Sequence, residues 1–180
     1  MLALDLMQAL VFGFPEVKPA HFAESPIAAV PLTDWKRFAK SFINAENDVT
    51  DSFRYGIFEM SVRRLCDLGL MVKPHTTATR SGKLVWLATW EAPWTLKTFL
   101  ADHSAQYQTF CTSMVDYSHA EGVRDLVGRA VDTRIATLSG LLAVAHRAGL
   151  QGLGTWFANG AEREAFSHTT ALFQLVNGIF

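Results

Sequence analysis

The sequence predicts a mainly α domain, α+β at most, preceded by an extended N-terminal arm. Three observations carry that expectation. Apolar residues recur at the helical period in several separate stretches. Glycines follow some of those stretches where a helix ends in a left-handed residue. One segment alone, Leu84 to Trp94, has an aromatic density suited to a short strand or an irregular apolar stretch. With 180 residues, 49% of them hydrophobic and 18% charged, the chain can fill a hydrophobic core as one domain.

Residues 1–32 read as an arm or docking segment and residues 33–180 as the domain. Leu2, Leu6, Ala9, Leu10 and Phe14 fit one face of a helix. Pro15, Pro19, Pro26 and Pro31 then keep the chain extended, because each proline fixes its own φ and disfavours helix in the residue before it. So apolar an arm needs cover, from its own domain or from another protein.

The first helix of the domain is expected after Thr33, as N-cap, with Asp34 in its first turn. Trp35, Phe38, Ala39, Phe42 and Ile43 form its apolar stripe, and Glu46 continues that stripe before Asn47 and Asp48 end the helix. Residues 49–56 read as a loop. Phe58 to Leu68 reads as a second helix, capped by Gly69, with Glu59 and Arg63 one turn apart. Residues 72–83 read as a polar loop. Thr95 should open a short helix through Leu100, and Ser104 a longer one striped by Tyr107, Phe110, Cys111, Met114 and Val115. A short helix is expected near Val123 to Arg129. Leu138 to Ala148 should be a small-residue helix closed by Gly149, and Leu153 to Ala158 a further turn or helix closed by Gly160. Thr169 or Thr170 should cap a last helix ending near Val176.

The charge balance, 16 Lys and Arg against 17 Asp and Glu, argues against a nucleic-acid binder, which carries a basic surplus. Cys66 and Cys111 stand in no metal-binding spacing and read as free thiols at apolar helix positions. Met1 to Phe14 lacks the basic flank of a signal peptide, and no apolar run reaches the length of a membrane span.

Glu46 is the residue with the clearest chemistry. A carboxylate on an apolar face is disfavoured in its ionised form, so its pKa rises. A general acid working near neutral pH needs that property. The competing reading is a helix-end carboxylate turned to solvent.

Four segments, in order, carry a resemblance to a known family. Thr137-Leu-Ser-Gly-Leu-Leu-Ala-Val-Ala-His-Arg-Ala-Gly, continuing through Gly152 and Phe157 to Gly160, is similar to a motif "sGLLAAAHLxGxGGxxxFLxxG". Tyr55-Gly-Ile-Phe-Glu-Met-Ser, with Leu65 and Asp67-Leu-Gly69, is similar to "YGLYQFGExxLxDxG". Phe99-Leu100 with Gln106 and Phe110 is similar to "FLxxPxxQxxAF". Leu172 to Phe180 resembles the closing "Yxxxf". These are motifs of phage and bacterial peptidoglycan hydrolases of the lysozyme and lytic transglycosylase superfamily, and the likeness spans roughly residues 40–180.

The resemblance implies a lysozyme-like fold and cleavage of the β-1,4 bond between N-acetylmuramic acid and N-acetylglucosamine, with no cofactor and no metal. It assigns the acid to Glu46, which would protonate the glycosidic oxygen. A hydrolase needs a second carboxylate or a positioned water, for which Asp48, Asp51 and Glu59 are candidates; Glu59 stands where the family has Gln. A transglycosylase needs none, because the muramic 6-hydroxyl attacks. Tyr55, Gly56 and Phe58 would line the glycan groove, with Trp86 and Trp90 as further groove candidates. His146 is read either as a core histidine or as a substrate-binding one. The implied partners are a peptidoglycan strand and, through residues 1–32, a virion, tail or secretion-device protein. The implied location is a virion, or the periplasm or cell wall reached without a signal peptide. The alternative is a tail or baseplate protein that keeps the architecture and has lost the activity.

Overall fold

The computed structural model describes residues 24–43, 54–72, 88–158 and 166–180, together with the backbone of 77–80 and 83–86. The arm through residue 23, and with it Glu46, Asp48 and Asp51, lies outside the described residues. The architecture is mainly helical, as expected, with four two-stranded antiparallel sheets among the described residues. Two compact units are present: the described residues through Ser41 together with Cys111–Phe180, and Phe42–Phe110.

The first unit is helical. Helix α1, Leu32–Lys40, starts at Pro31 rather than Thr33, and no side chain caps it. Proline suits this place, because its φ of -58° is already helical and its missing N–H would have no partner at a helix start. Trp35, Phe38 and Ala39 are buried as the stripe requires. The helix is shorter than its apolar stripe suggests. It stops at Lys40, and Ser41 closes it through Ser41 N–H to Phe38 O at 3.0 Å and Ser41 Oγ to Arg37 O at 3.2 Å. The expected helix end at Asn47 and Asp48 is therefore corrected to Lys40.

The centre of this unit is the first half of a broken helix, Leu138–Ala158, numbered α6 below. Every residue from Ser139 to His146 is buried. A helix apolar all round must be enclosed. The expected break falls at Gly149, whose φ of 73° and ψ of 171° leave the helix, and a second helical stretch runs on to Ala158. The last helix, α7, Ser167–Val176, ends where the sequence indicated. It begins before Thr169 and Thr170, and neither caps it: Thr169 is buried, while Thr170 Oγ1 accepts from Trp156 Nε1 at 3.0 Å.

Small residues let α7 lie against α6. A Cβ on Gly140 would stand 2.7 Å from the Phe173 ring and overlap Asn177. Ser139 Oγ lies 2.8 Å from Val176 O and 3.0 Å from Phe180 O, so its single proton can serve either carbonyl. Asn177 Oδ1 accepts from Thr137 N–H at 2.8 Å, and its Nδ2 donates to Ile135 O at 2.8 Å. Trp156 packs on Phe173 at 4.9 Å, and Phe38 of α1 meets Phe180 edge-on at 5.1 Å.

The second unit holds β1 (Arg54–Tyr55), β2 (Met60–Ser61), α2 (Val62–Asp67), β3 (Met71–Val72), β4 (Thr77–Arg80), β5 (Lys83–Trp86), β6 (Thr89–Trp90) and α3 (Leu96–Ala101). Strand β1 pairs with β2, β3 with β6 and β4 with β5. Helix α4, His103–His119, begins in this unit; α5 (Glu121–Arg124) and the β7–β8 hairpin (Ala130–Val131 with Arg134–Ile135) belong to the first.

Three expectations change here. The helix expected from Phe58 starts only at Val62, capped by Ser61 Oγ accepting from Arg64 N–H at 3.3 Å. Residues 55–59 form a reversing turn instead, so Glu59 and Arg63 are not one helical turn apart. The polar stretch expected as a loop contains the β4–β5 hairpin. The long helix starts at His103, and its first turn is capped by Asp102 Oδ1 accepting from Ala105 N–H at 2.8 Å, rather than by Ser104. Two other ends are as expected: Gly69 follows α2 at φ 74°, and Thr95 caps α3 in a reciprocal box with Thr98.

Candidate functional site

The Tyr55-to-Glu59 turn is built by local constraint on both sides. Gly56 takes φ 74°, a left-handed angle that glycine adopts without penalty. Glu59 takes φ 48°, uncommon for a residue with a Cβ. Glu59 N–H donates to Gly56 O at 2.9 Å, and Arg54 Nη1 donates to Glu59 O at 3.0 Å. The turn is thus closed on itself and tied at its exit by the strand that leads into it.

One buried side chain clamps it from outside. Gln106, on the first turn of α4, is fully buried. Its Oε1 accepts the Ile57 N–H at 2.7 Å, and its Nε2 donates to Phe99 O at 2.9 Å and to Leu100 O at 3.1 Å. A buried amide with its donors and its acceptor engaged rigidifies what it touches. Gly56 is a glycine for a second reason, since a Cβ there would stand 2.7 Å from Gln106 Cδ.

The aromatic residues divide by exposure. Phe58 is fully buried, stacked on Phe110 at 4.5 Å with 17° between planes, and Phe110 also packs on Phe42 at 5.1 Å. Tyr55 is half-buried, with its ring edge-on to Trp90 at 5.5 Å. Burial first, and then the charge of the nearby Cys66, hold the Tyr55 phenol above its ordinary 10.0. Cys66 is in no disulfide and points a weak S–H donor at Val72 O, 3.7 Å away.

The structure brings Tyr55, Gly56, Phe58 and Glu59 into this one turn. Of these, Tyr55 and Glu59 are half-exposed, whereas Gly56 and Phe58 are buried and act as its foundation. His146 belongs to the other unit, buried on α6. The side chain of Trp86 lies outside the described residues, as do Glu46 and Asp51. Among the described residues no cluster of His, Cys, Asp and Glu could hold a metal ion, and no helix is long and apolar enough to cross a membrane.

Gln106 and Arg54 have roles that pattern reading did not assign. For Gln106 a signal existed: it is an uncharged polar residue beside Tyr107 and one turn before Phe110, on the buried side of α4. Arg54 offered none, because its acceptor is a main-chain carbonyl fixed by a non-glycine left-handed residue.

The comparisons supply no relative. No protein-family model matches the chain, no curated protein matches it, and no solved structure matches its fold.

Proposed function

We propose that the chain is a peptidoglycan-cleaving glycosidase, a muramidase or lytic transglycosylase acting on the bond between N-acetylmuramic acid and N-acetylglucosamine. The observation that supports this reading is the Gln106 clamp. Two segments that resemble the peptidoglycan hydrolases, Tyr55–Glu59 and Phe99–Phe110, are distant in sequence yet joined through Ile57, Gln106 and Phe99.

In this reading Glu46, nine positions before Tyr55, is the acid that protonates the leaving oxygen. Tyr55 lines the glycan path, and its neutral phenol serves as a hydrogen-bond donor to the sugar. Glu59 and Asp51 are the candidates for a second carboxylate. Residues 1–32 attach the enzyme to a virion tail or a secretion device, which carries it to the cell wall. Clearing of purified peptidoglycan by the wild type but not by Glu46→Gln is the expected result. Equal clearing by both removes Glu46 from the chemistry.

A second reading has its own support. Phe58, Gly56 and His146 are all buried, so several residues of the resemblance serve packing. A tail or baseplate protein that retained the architecture without activity would keep those residues. It would clear no peptidoglycan in either form.

A further inference from the structure

The end of α7 is joined to the segment before α6 through one side chain. Asn177 Oδ1 accepts the Thr137 N–H at 2.8 Å, with the Thr137 hydroxyl as a second donor at 3.2 Å, and Asn177 Nδ2 donates to Ile135 O at 2.8 Å. The joint needs a donor and an acceptor on one short side chain, which asparagine supplies and aspartate does not. The next residue, Gly178, takes φ 90°, in the left-handed region that favours glycine. The fold thus calls for an Asn-Gly pair at this place. That pair is the dipeptide most open to deamidation, because no side chain shields the glycine nitrogen.

We propose that Asn177–Gly178 is a latent deamidation site, held shut by the fold and opened by unfolding, so that a chain that has unfolded returns with its α6–α7 joint weakened. The pair belongs to the first unit and plays no part in the glycan chemistry proposed above. In the reaction the Gly178 nitrogen adds to Asn177 Cγ. The Cγ–Nδ2 bond breaks, ammonia leaves with the proton from the Gly178 nitrogen, and a succinimide ring remains. Water then opens the ring at either carbonyl, giving aspartate or isoaspartate.

Three features hold the site shut. Ring closure brings Cβ and the Gly178 nitrogen to eclipse about the Asn177 Cα–C bond, whereas the observed ψ of 124° keeps them far apart. Both ends of the amide are engaged, so turning Cγ toward the backbone breaks the bonds to Thr137 and Ile135. The attacking nitrogen is engaged as well: Gly178 N–H donates to Thr137 Oγ1 at 2.9 Å. Unfolding removes all three together, and chemical change of the unfolded chain then makes unfolding irreversible. Water has access, since Gly178 is exposed.

Either product damages the joint. Aspartate at 177 has no donor for Ile135 O and sets a carboxylate against it. Isoaspartate lengthens the main chain by a methylene between Val176 and Phe180, whose carbonyls both meet Ser139 Oγ.

The test incubates the full chain at neutral pH with and without urea and follows its tryptic peptides by mass. Cleavage after Arg147 and after Arg163 separates Asn177 from the other Asn-Gly pair, Asn159–Gly160, which lies outside the described residues. Conversion at Asn177 should be about 10-fold or more slower in the folded chain than in urea, because a protected site reacts only through opening. Thr137→Val removes the hydroxyl, keeps the main chain and should speed conversion in the folded state. Asn177→Asp should unfold at a lower urea concentration than the wild type. Equal conversion with and without urea would overturn the protection, a test that stands even if Thr137→Val does not fold. A folded Thr137→Val reacting at the wild-type rate would overturn the part given to the Gly178 N–H. An Asn177→Asp midpoint equal to that of the wild type would overturn the weakened joint.

Discussion

The Ile57 N–H donates to Gln106 Oε1 across 49 residues of sequence, at 2.7 Å and out of contact with water. The shape of the 55–59 turn thus depends on a side chain from a helix distant in sequence. A turn that presents one phenol and one carboxylate at its ends must hold them still to be useful in catalysis, where small misplacements are expensive.

Replacing Gln106 by leucine keeps the volume and removes the amide. The Ile57 N–H then loses its acceptor, and Leu100 O loses a donor. With unsatisfied buried groups costing about 1–3 kcal/mol each, Gln106→Leu should lower stability by about 2–4 kcal/mol. Urea denaturation checks this, and an unchanged midpoint would mean the clamp is dispensable.

Gly56→Ala tests the same turn from its other side. The left-handed angle costs an alanine about 1–2 kcal/mol, and the added methyl collides with Gln106. The variant should melt at lower temperature than the wild type. If Gly56→Ala melts with the wild type, the turn has room that the packing does not show.

Two glycines of α6 should respond in opposite directions. Gly140→Ala forces a methyl into Phe173 and Asn177 and should destabilise by about 1–3 kcal/mol through overpacking. Gly154 faces open space at an exposed position, so Gly154→Ala should stabilise by about 0.5–1 kcal/mol through helix propensity. Thermal unfolding of the pair separates the two effects, and equal shifts of one sign would contradict this packing.

The Tyr55 phenol yields a pH dependence. Its folded-state pKa is raised above 10.0, so the folded chain holds that proton more tightly than the unfolded chain does. The stability this contributes is intact below pH 10.0 and is lost as pH rises through the folded value. Tyr55→Phe should flatten that part of the alkaline stability curve. An identical curve for the variant would show that the phenol ionises as freely in the folded state as in the unfolded one.

Much of the helical frame was legible because its signals are local. Thr95 caps through its own hydroxyl, Gly69 and Gly149 supply left-handed or non-helical angles, and the Trp35–Phe42 stripe marks one buried face. The β4–β5 hairpin was missed because Thr77–Arg80 and Lys83–Trp86 lack a clean apolar alternation. The Ser81-Gly82 dipeptide between them is a hairpin signal that outweighs polarity. The early stop of α1 was not legible: the apolar period runs on past Lys40, and tertiary context decides where such a stripe stops being helix. In the candidate site, the turn residues could be found by motif. That Phe58 faces Phe110 rather than a ligand could not, because an aromatic in a turn reads the same whether it is buried or open.

The most direct measurement is mass spectrometry of muropeptides released from purified peptidoglycan. The wild-type chain should release cleaved glycan products, either reducing-end or 1,6-anhydro, and Glu46→Gln should release none above background. No release by the wild type, or equal release by the variant, would contradict the claim that this chain cuts glycan strands with Glu46 as its acid.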